Sequence, residues 1–244
     1  VYFPDNPDHE LGTAALARAA ATSRAPVIVA EFTELDEQGR EVVLPNAAVI
    51  RDDPRIREAA VMARDELLLD RSNGEIGART GGRTIVARSG GNDALVVEIA
   101  EAAGLLQPAD FERLGLIEPV LTGATFARDG SVREERTPAL RPQLGDPASL
   151  ERVSYVDAIR GNADLRGALV IVGMDDGQND LVEQPDPAHP ELTNVSGVYL
   201  HAFALRRALE ARARDRAAPA AAKPTASTPS RTPGLVGALG GTRR

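Results

Sequence analysis

The stretch GALVIVGM, residues 167–174, decides the fold that the sequence predicts. Its four large apolar residues at 169–172 are followed directly by a glycine, and three of the four are β-branched. A short, continuous apolar run of this kind is typical of a strand that is buried on both faces of a sheet. We therefore expect a central strand at 169–172, with its carboxyl end at Gly173.

Further strands and helices alternate along the chain on the amino-terminal side of this stretch and beyond it. The apolar run at 25–32 predicts a second buried strand, and residues 83–89 predict another strand. Asp53 and Pro54 are typical of the first positions of a helix. Helices are predicted by apolar spacing, polar N-caps and glycine stops at 12–23, 52–67, 90–104, 154–161 and 198–213.

This alternation predicts the fold class. Strands joined through helices imply crossover connections, which produce parallel strands covered by helices on both faces. The expected fold is therefore α/β: a central, mostly parallel (mixed) sheet flanked by helices on both faces, in three α/β/α layers. Residues 112–150 are rich in Pro, Gly and Arg and are expected to be irregular, with a hairpin around 128–130.

Composition excludes several classes of site. A formal net charge of −8 disfavours nucleic acid as a partner, because phosphate binding needs a basic face. The absence of cysteine excludes disulfides, zinc–thiolate centres, iron–sulfur clusters and thiol nucleophiles. No apolar run reaches the roughly 18 residues of a membrane helix. Residues 217–244 are dominated by Ala, Pro, Ser, Thr and Gly and predict a disordered tail.

An acidic segment follows the predicted central strand. Asp175, Asp176 and Asp180 offer the hard oxygen ligands that Mg²⁺ and Ca²⁺ prefer, at the carboxyl end of a strand, where open α/β sheets bind ligands. One interpretation is a divalent-metal-dependent hydrolase that uses this 175–180 cluster. The other is a solvated turn, since Asp and Asn side chains often bond their own backbone.

A single histidine in the last predicted helix is the other candidate. His201, Leu205 and Leu209 recur every four residues and so lie on one helix face. Because leucines at this spacing form a packed face, His201 is expected to be buried and to hydrogen-bond within the domain. Packing is then the favoured role for His201, ahead of ligand contact and catalysis.

The segments 152–185 and 195–205 carry a family resemblance. RVSYVDAIRGNADLRGALVIVGMDDGQNDLVEQP and VSGVYLHAFAL resemble the closing part of the CHASE2 domain, including its "pGVxxHAxAl" motif. Residues 1–32 resemble its "FDvlF" strand with the helix and strand that follow, and 69–80 resemble its "pDxDGvvRr" turn. The resemblance covers roughly residues 1–212.

The resemblance implies a sensory role. CHASE2 domains are extracytoplasmic modules of bacterial receptors that carry cyclase or kinase outputs. Residues 1–216 are accordingly expected to be a CHASE2-like sensory domain, N-terminally truncated and lacking the family's membrane helices, which are expected only in segments absent from this chain. A small ligand or a protein partner, and a homodimer, are the expected associations. No cofactor, catalytic residue or enzymatic activity is expected.

The predicted ligand contacts are taken from the end of the predicted central strand, the acidic segment and the last predicted helix. Gly173, Asp176, Asp180 and His201 are expected nearest to any binding pocket. Another hypothesis is a truncated orphan domain that serves as a protein-interaction scaffold.

Overall fold

The computed structural model describes residues 10–38, 40–70, 77–173, 181–183 and 194–217. Its helices and strands, in chain order, are α1 (Glu10–Thr22), β1 (Val27–Leu35), β2 (Glu41–Leu44), α2 (Ala48–Arg51), β3 (Ile56–Ala60), β4 (Ala63–Asp70), β5 (Gly77–Val86), β6 (Arg88–Ser89), β7 (Asn92–Asp93), α3 (Leu95–Ala102), α4 (Pro108–Arg113), β8 (Ile117–Phe126), β9 (Val132–Leu140), α5 (Tyr155–Ile159), β10 (Leu181–Glu183), β11 (Asn194–Ser196) and α6 (Gly197–Ala217). A 3₁₀ turn at Pro147–Ser149 precedes α5.

The first sheet has the strand order β2-β1-β3. Strand β1 pairs in parallel with β3 and antiparallel with β2. The β-branched run that starts β1 favours this extended backbone. Helices α1 and α2 cover the sheet through a small apolar cluster that contains Ala20, Val29, Ile50 and Ile56.

The second sheet is antiparallel, in the order β4-β5-β9-β8. Strands β8 and β9 form the predicted hairpin around 128–130, which is confirmed. The irregular structure expected for 112–150 is wrong over these strands, because their pairing with each other extends through most of the region. Its turn is held by Asp129, whose carboxylate accepts a hydrogen bond of 2.9 Å from the Ser131 N–H. Gly130 follows at φ +79°, a conformation that favours glycine.

The main core joins this second sheet to the helices. Its fully buried members include Ile85 of β5, Val96 of α3, Phe111 of α4 and Leu200 of α6. Helix α6 contributes Leu200, Ala204, Leu205 and Ala208 on one face, at the spacing that predicted a packed helix. This packing fixes the amino-terminal turn of α6 against the sheets.

The predicted fold class is wrong. Among the described strands, only β1 and β3 pair in parallel along their length, and the other paired strands are antiparallel. The chain therefore does not form three α/β/α layers around a mostly parallel sheet.

The largest local error lies at 52–67. This segment forms β3 and β4 instead of a helix, because pairing with β1 and β5 outweighs its helical propensity. Asp53 does not cap a helix. Its carboxylate accepts a hydrogen bond of 3.0 Å from the Arg55 N–H and thus closes a turn.

The predicted central strand at 169–172 is also wrong. These residues form no strand, and the side chains of Leu169, Val170 and Val172 are 40%, 51% and 60% exposed. The run has the composition of a strand, but no strand in the described part of the chain pairs with it. Apolar composition alone does not supply the neighbour that a buried strand needs.

Several short-range predictions are confirmed. Gly104 ends α3 at φ +65°, and the Ser154 hydroxyl accepts a hydrogen bond of 3.0 Å from the Asp157 N–H at the start of α5. The strands predicted at 25–32 and 83–89 correspond to β1 and to the end of β5. The predicted tail lies outside the described residues, apart from Ala217, which ends α6.

Candidate functional site

A cavity of about 640 Å³ lies where the two sheets meet the start of α6. Its wall is built from β1, from the β4–β5 hairpin, from residues 171–173 and from the first turn of α6. Small-molecule sites in proteins commonly have volumes of about 300–1,000 Å³. The cavity is therefore large enough for a small organic ligand.

His201 lies in this wall, in the first turns of α6, and is only 7% exposed. Its predicted burial is confirmed. Burial lowers the pKa of the imidazole to about 4, so the ring is neutral at pH 7. Its Nδ1 atom is shielded from solvent, and no described residue is hydrogen-bonded to it. The hydrogen bond expected for His201 within the domain is not made by Nδ1 to any described residue, and the acidic segment at 175–180 lies outside the described residues.

Gly173 lies in the same wall and is packed against the start of α6. A Cβ atom at this position would lie 2.6 Å from Cβ and 2.7 Å from Cγ2 of Val198. Only glycine allows residues 171–173 to approach the helix this closely. The structure thus brings together Gly173 and His201, two of the four predicted ligand contacts.

Replacing Gly173 with alanine is expected to lower the free energy of unfolding by about 1–3 kcal/mol, the usual cost of overpacking. The Val198 Cβ atom is fixed to the helix backbone and cannot rotate away, so the segment must move. Gly12→Ala is the matched control, because nothing lies within 4 Å of its Cβ position in α1. Urea unfolding of both variants checks this, and equal effects of the two substitutions would refute the close-contact explanation.

Two arginines and one aspartate supply the charges of the wall. Arg83 and Asp65 face each other across β4 and β5 and form an ion pair of 3.1 Å. Arg64 contacts Glu41 and Glu135 at 3.3 Å and 3.4 Å, longer than a typical N–H···O bond. Its Nε atom is buried without a hydrogen-bond partner among the described residues. Arg64 therefore retains unused donor capacity beside the cavity.

A buried carboxylate lies close to this wall, in β1. Glu31 is 6% exposed, and burial raises the pKa of its carboxyl group. Its Oε1 atom would lie 2.6 Å from a Cβ at Gly90, where φ is +61°. Glu31 could have been identified from the sequence, because it is the charged residue inside the apolar run VIVAEF at 27–32.

Sequence reasoning missed Arg64, Asp65 and Arg83 as parts of the wall. The first two lie in the segment predicted as a helix, and nothing in their spacing indicates that they belong to a cavity wall beside β5. Their place depends on the pairing of β4 with β5.

The acidic residues predicted for the site, Asp175, Asp176 and Asp180, lie outside the described residues, so their ligand-binding and metal-binding roles remain predictions. Within the described ranges, no group of three or more His, Asp or Glu side chains is arranged to hold a metal ion. No described helix has both the length and the apolar character needed to span a membrane.

Comparison of the chain with models of protein families, with curated proteins and with solved structures finds no match.

Proposed function

We propose that the chain is the ligand-binding module of a bacterial transmembrane receptor, located outside the cytoplasmic membrane. Two observations support this proposal. The segments at 152–185 and 195–205 resemble the CHASE2 sensory domain, and the wall of the cavity contains residues of both segments, Gly173 and His201. The cavity is the single observation that carries the proposal of ligand binding.

The wall favours a small organic monoanion as ligand. Its charged side chains are Arg64, Arg83 and Asp65; Asp65 pairs with Arg83, and Arg64 makes long contacts with Glu41 and Glu135, neither of which lines the wall. Apolar residues such as Phe32 and Leu67 also line it. A carboxylate that displaces the long Glu135 contact can accept a charge-assisted hydrogen bond from Nη1 of Arg64.

Ligand binding at this wall is expected to produce a signal by shifting the segments that form it. A bound ligand touches both residues 171–173 and the first turn of α6. If two arrangements of these segments differ in ligand affinity, binding shifts the population towards the tighter one. Helix α6 extends for 21 residues from this turn and carries the displacement away from the site.

A thermal-shift panel tests the proposal. The probes are acetate, lactate, benzoate, leucine, glucose, AMP, MgCl₂ and CaCl₂, each added to the purified chain. Saturation at about 100 times Kd adds about 2.7 kcal/mol of stability. For a domain of this size that raises Tm by about 5–10 °C. We expect at least one carboxylate to do so, and the two metal salts to have no effect.

Two arginine variants locate the binding. Arg64→Gln should abolish the shift, whereas Arg136→Gln should retain it, because Arg136 lies on β9 outside the wall and pairs with Glu134. A shift that persists in Arg64→Gln would place the ligand elsewhere. A panel without any carboxylate effect would count against an organic monoanion as ligand.

The extracytoplasmic location needs its own test. Fusing alkaline phosphatase, which is active only outside the cytoplasm, after residue 217 of the full gene product should give active enzyme. An active fusion supports the proposed side of the membrane, and an inactive fusion contradicts it.

A further inference from the structure

The exposed apolar side chains of the described chain are concentrated in one segment. Of the thirteen large apolar residues that are exposed there, eight fall within residues 153–172, here called the apolar segment. The most exposed are Tyr155 at 72%, Ile159 at 66% and Val172 at 60%. Helix α5, which lies in this segment, buries none of its residues. A concentration of exposed apolar side chains of this kind is typical of an interaction site.

The apolar segment differs in charge from the chain as a whole. It contains two aspartates and two arginines and is therefore neutral, whereas the chain has a formal net charge of −8. Like charges on two copies oppose association over most of the surface. A neutral, apolar segment is where two copies can approach without that repulsion.

The carboxyl-terminal part of the segment lies only partly in the cavity wall. Ile171 packs against the main core and lines the cavity, and Val172 also lines the cavity while remaining 60% exposed. Leu169 and Val170 are exposed and lie outside the cavity wall. β-branched residues that pair with no described strand are a template for the addition of another strand.

We propose that a second copy of the chain covers the apolar segment, through antiparallel pairing of residues 169–172 with the same residues of the other copy. Antiparallel pairing of a run with itself has two-fold symmetry and closes without further partners.

The area of the segment fits a dimer. The exposed parts of its eight apolar side chains amount to roughly 700 Å² per copy, close to the ~800 Å² per partner of a standard interface. A peptide added to residues 169–172 alone would leave the apolar side chains of α5 uncovered. A second copy covers both parts, since each copy brings its own α5.

The dimer and the cavity share residues 171–172. This part of the inference rests on the proposed function: a ligand in the cavity contacts Ile171 and Val172, which also belong to the run that pairs in the dimer. By linkage, a ligand that changes dimer affinity is itself bound differently by monomer and dimer.

Single cysteines test the pairing directly, because the natural sequence contains none. Directly opposed residues in antiparallel strands have Cα atoms about 4.5–5.5 Å apart, within disulfide reach. Leu169→Cys, Val170→Cys and Val172→Cys are oxidised with copper–phenanthroline and examined on non-reducing gels. We expect at least one to form a disulfide dimer in high yield, and the exposed control Leu11→Cys to remain monomeric.

Sedimentation equilibrium of the ligand-free chain measures the dissociation constant of the dimer. The unmodified chain should be a dimer, and Val170→Lys should weaken dimerisation at least tenfold, whereas Leu11→Lys should not change it. Circular dichroism melts confirm that each variant is folded. A chain that is monomeric at about 100 µM, or a dimer that Val170→Lys leaves intact, would overturn the inference while leaving the ligand proposal standing. A dimer that forms without any ligand-induced shift in Tm would support the inference and count against the proposed function alone.

Discussion

Phe111→Ala should lower the free energy of unfolding by about 3–5 kcal/mol, the usual range for truncating a buried phenylalanine. Phe111 is fully buried and lies in α4, in the core that joins α3, α6 and the second sheet. Its removal leaves a cavity that neighbours such as Leu116 and Val96 cannot fill without shifting their own backbones. A loss of this size is a large fraction of the 5–15 kcal/mol that stabilises a typical domain.

Urea unfolding at pH 7, followed by circular dichroism, measures this loss. Leu11→Ala is the control, because Leu11 is 86% exposed on α1 and its truncation should change stability by less than about 0.5 kcal/mol. A cost below about 1 kcal/mol for Phe111→Ala would mean that α4 does not pack into the core as described.

Acid is expected to destabilise the domain through His201. The unfolded imidazole binds a proton near its ordinary pKa of 6.5, whereas the buried ring does so only near pH 4. Above pH 6.5 the ring is neutral in both states and has no effect on the pH dependence. As the pH falls from 6.5 towards 4, the unfolded state takes up the proton first, so stability is lost over this window. The loss is about 3 kcal/mol, since each pKa unit corresponds to about 1.4 kcal/mol.

Comparison with His201→Gln isolates this contribution. Glutamine does not titrate, and the carboxylates and the other two histidines are common to both proteins. Free energies of unfolding are measured in urea at half-unit steps from pH 7.5 to 4. The difference between the two proteins should shrink by about 3 kcal/mol towards acid. Parallel curves across the window would show that the ring is solvated or already paired in the folded state.

Local features could be predicted because a few adjacent residues determine them. The cap of α5 needs only Ser154 and Asp157, and the end of α3 needs a glycine that can adopt φ +65°. The turn around Asp129 and Gly130 is local in the same way. The burial of His201 followed from its spacing to Leu205 on a single helix.

Pairing between distant strands could not be predicted in this way. The segment at 52–67 has residues that suit a helix, but its neighbours in the fold are β1 and β5, which are remote in sequence. The run at 169–172 is the converse case, because its residues suit a strand but no strand in the described part of the chain pairs with it. In both cases the decisive contact is non-local, and the same is true of the sheet order.

The residues of the candidate site show the same contrast between local features and non-local strand pairing. Gly173 and His201 were identified because the strand run and the helix spacing point to them. Arg64 and Arg83 entered only with the β4–β5 hairpin, which brings their strands to one wall. The charged residues of the site could therefore be found only in the structure, whereas Gly173 and His201 could be identified from the sequence.

Nuclear magnetic resonance of the histidine rings tests most directly whether this cavity is the ligand site. The chain has three histidines, and the ring signals of His201 are assigned by their absence in His201→Gln. The ¹⁵N-labelled chain is titrated with the carboxylate that raises Tm most in the thermal-shift panel. We expect the Nδ1 signal of His201 to move in a saturable way, with the ring remaining neutral at pH 7. Movement only of the other two histidines, or no movement while Tm still rises, would place the ligand outside the cavity.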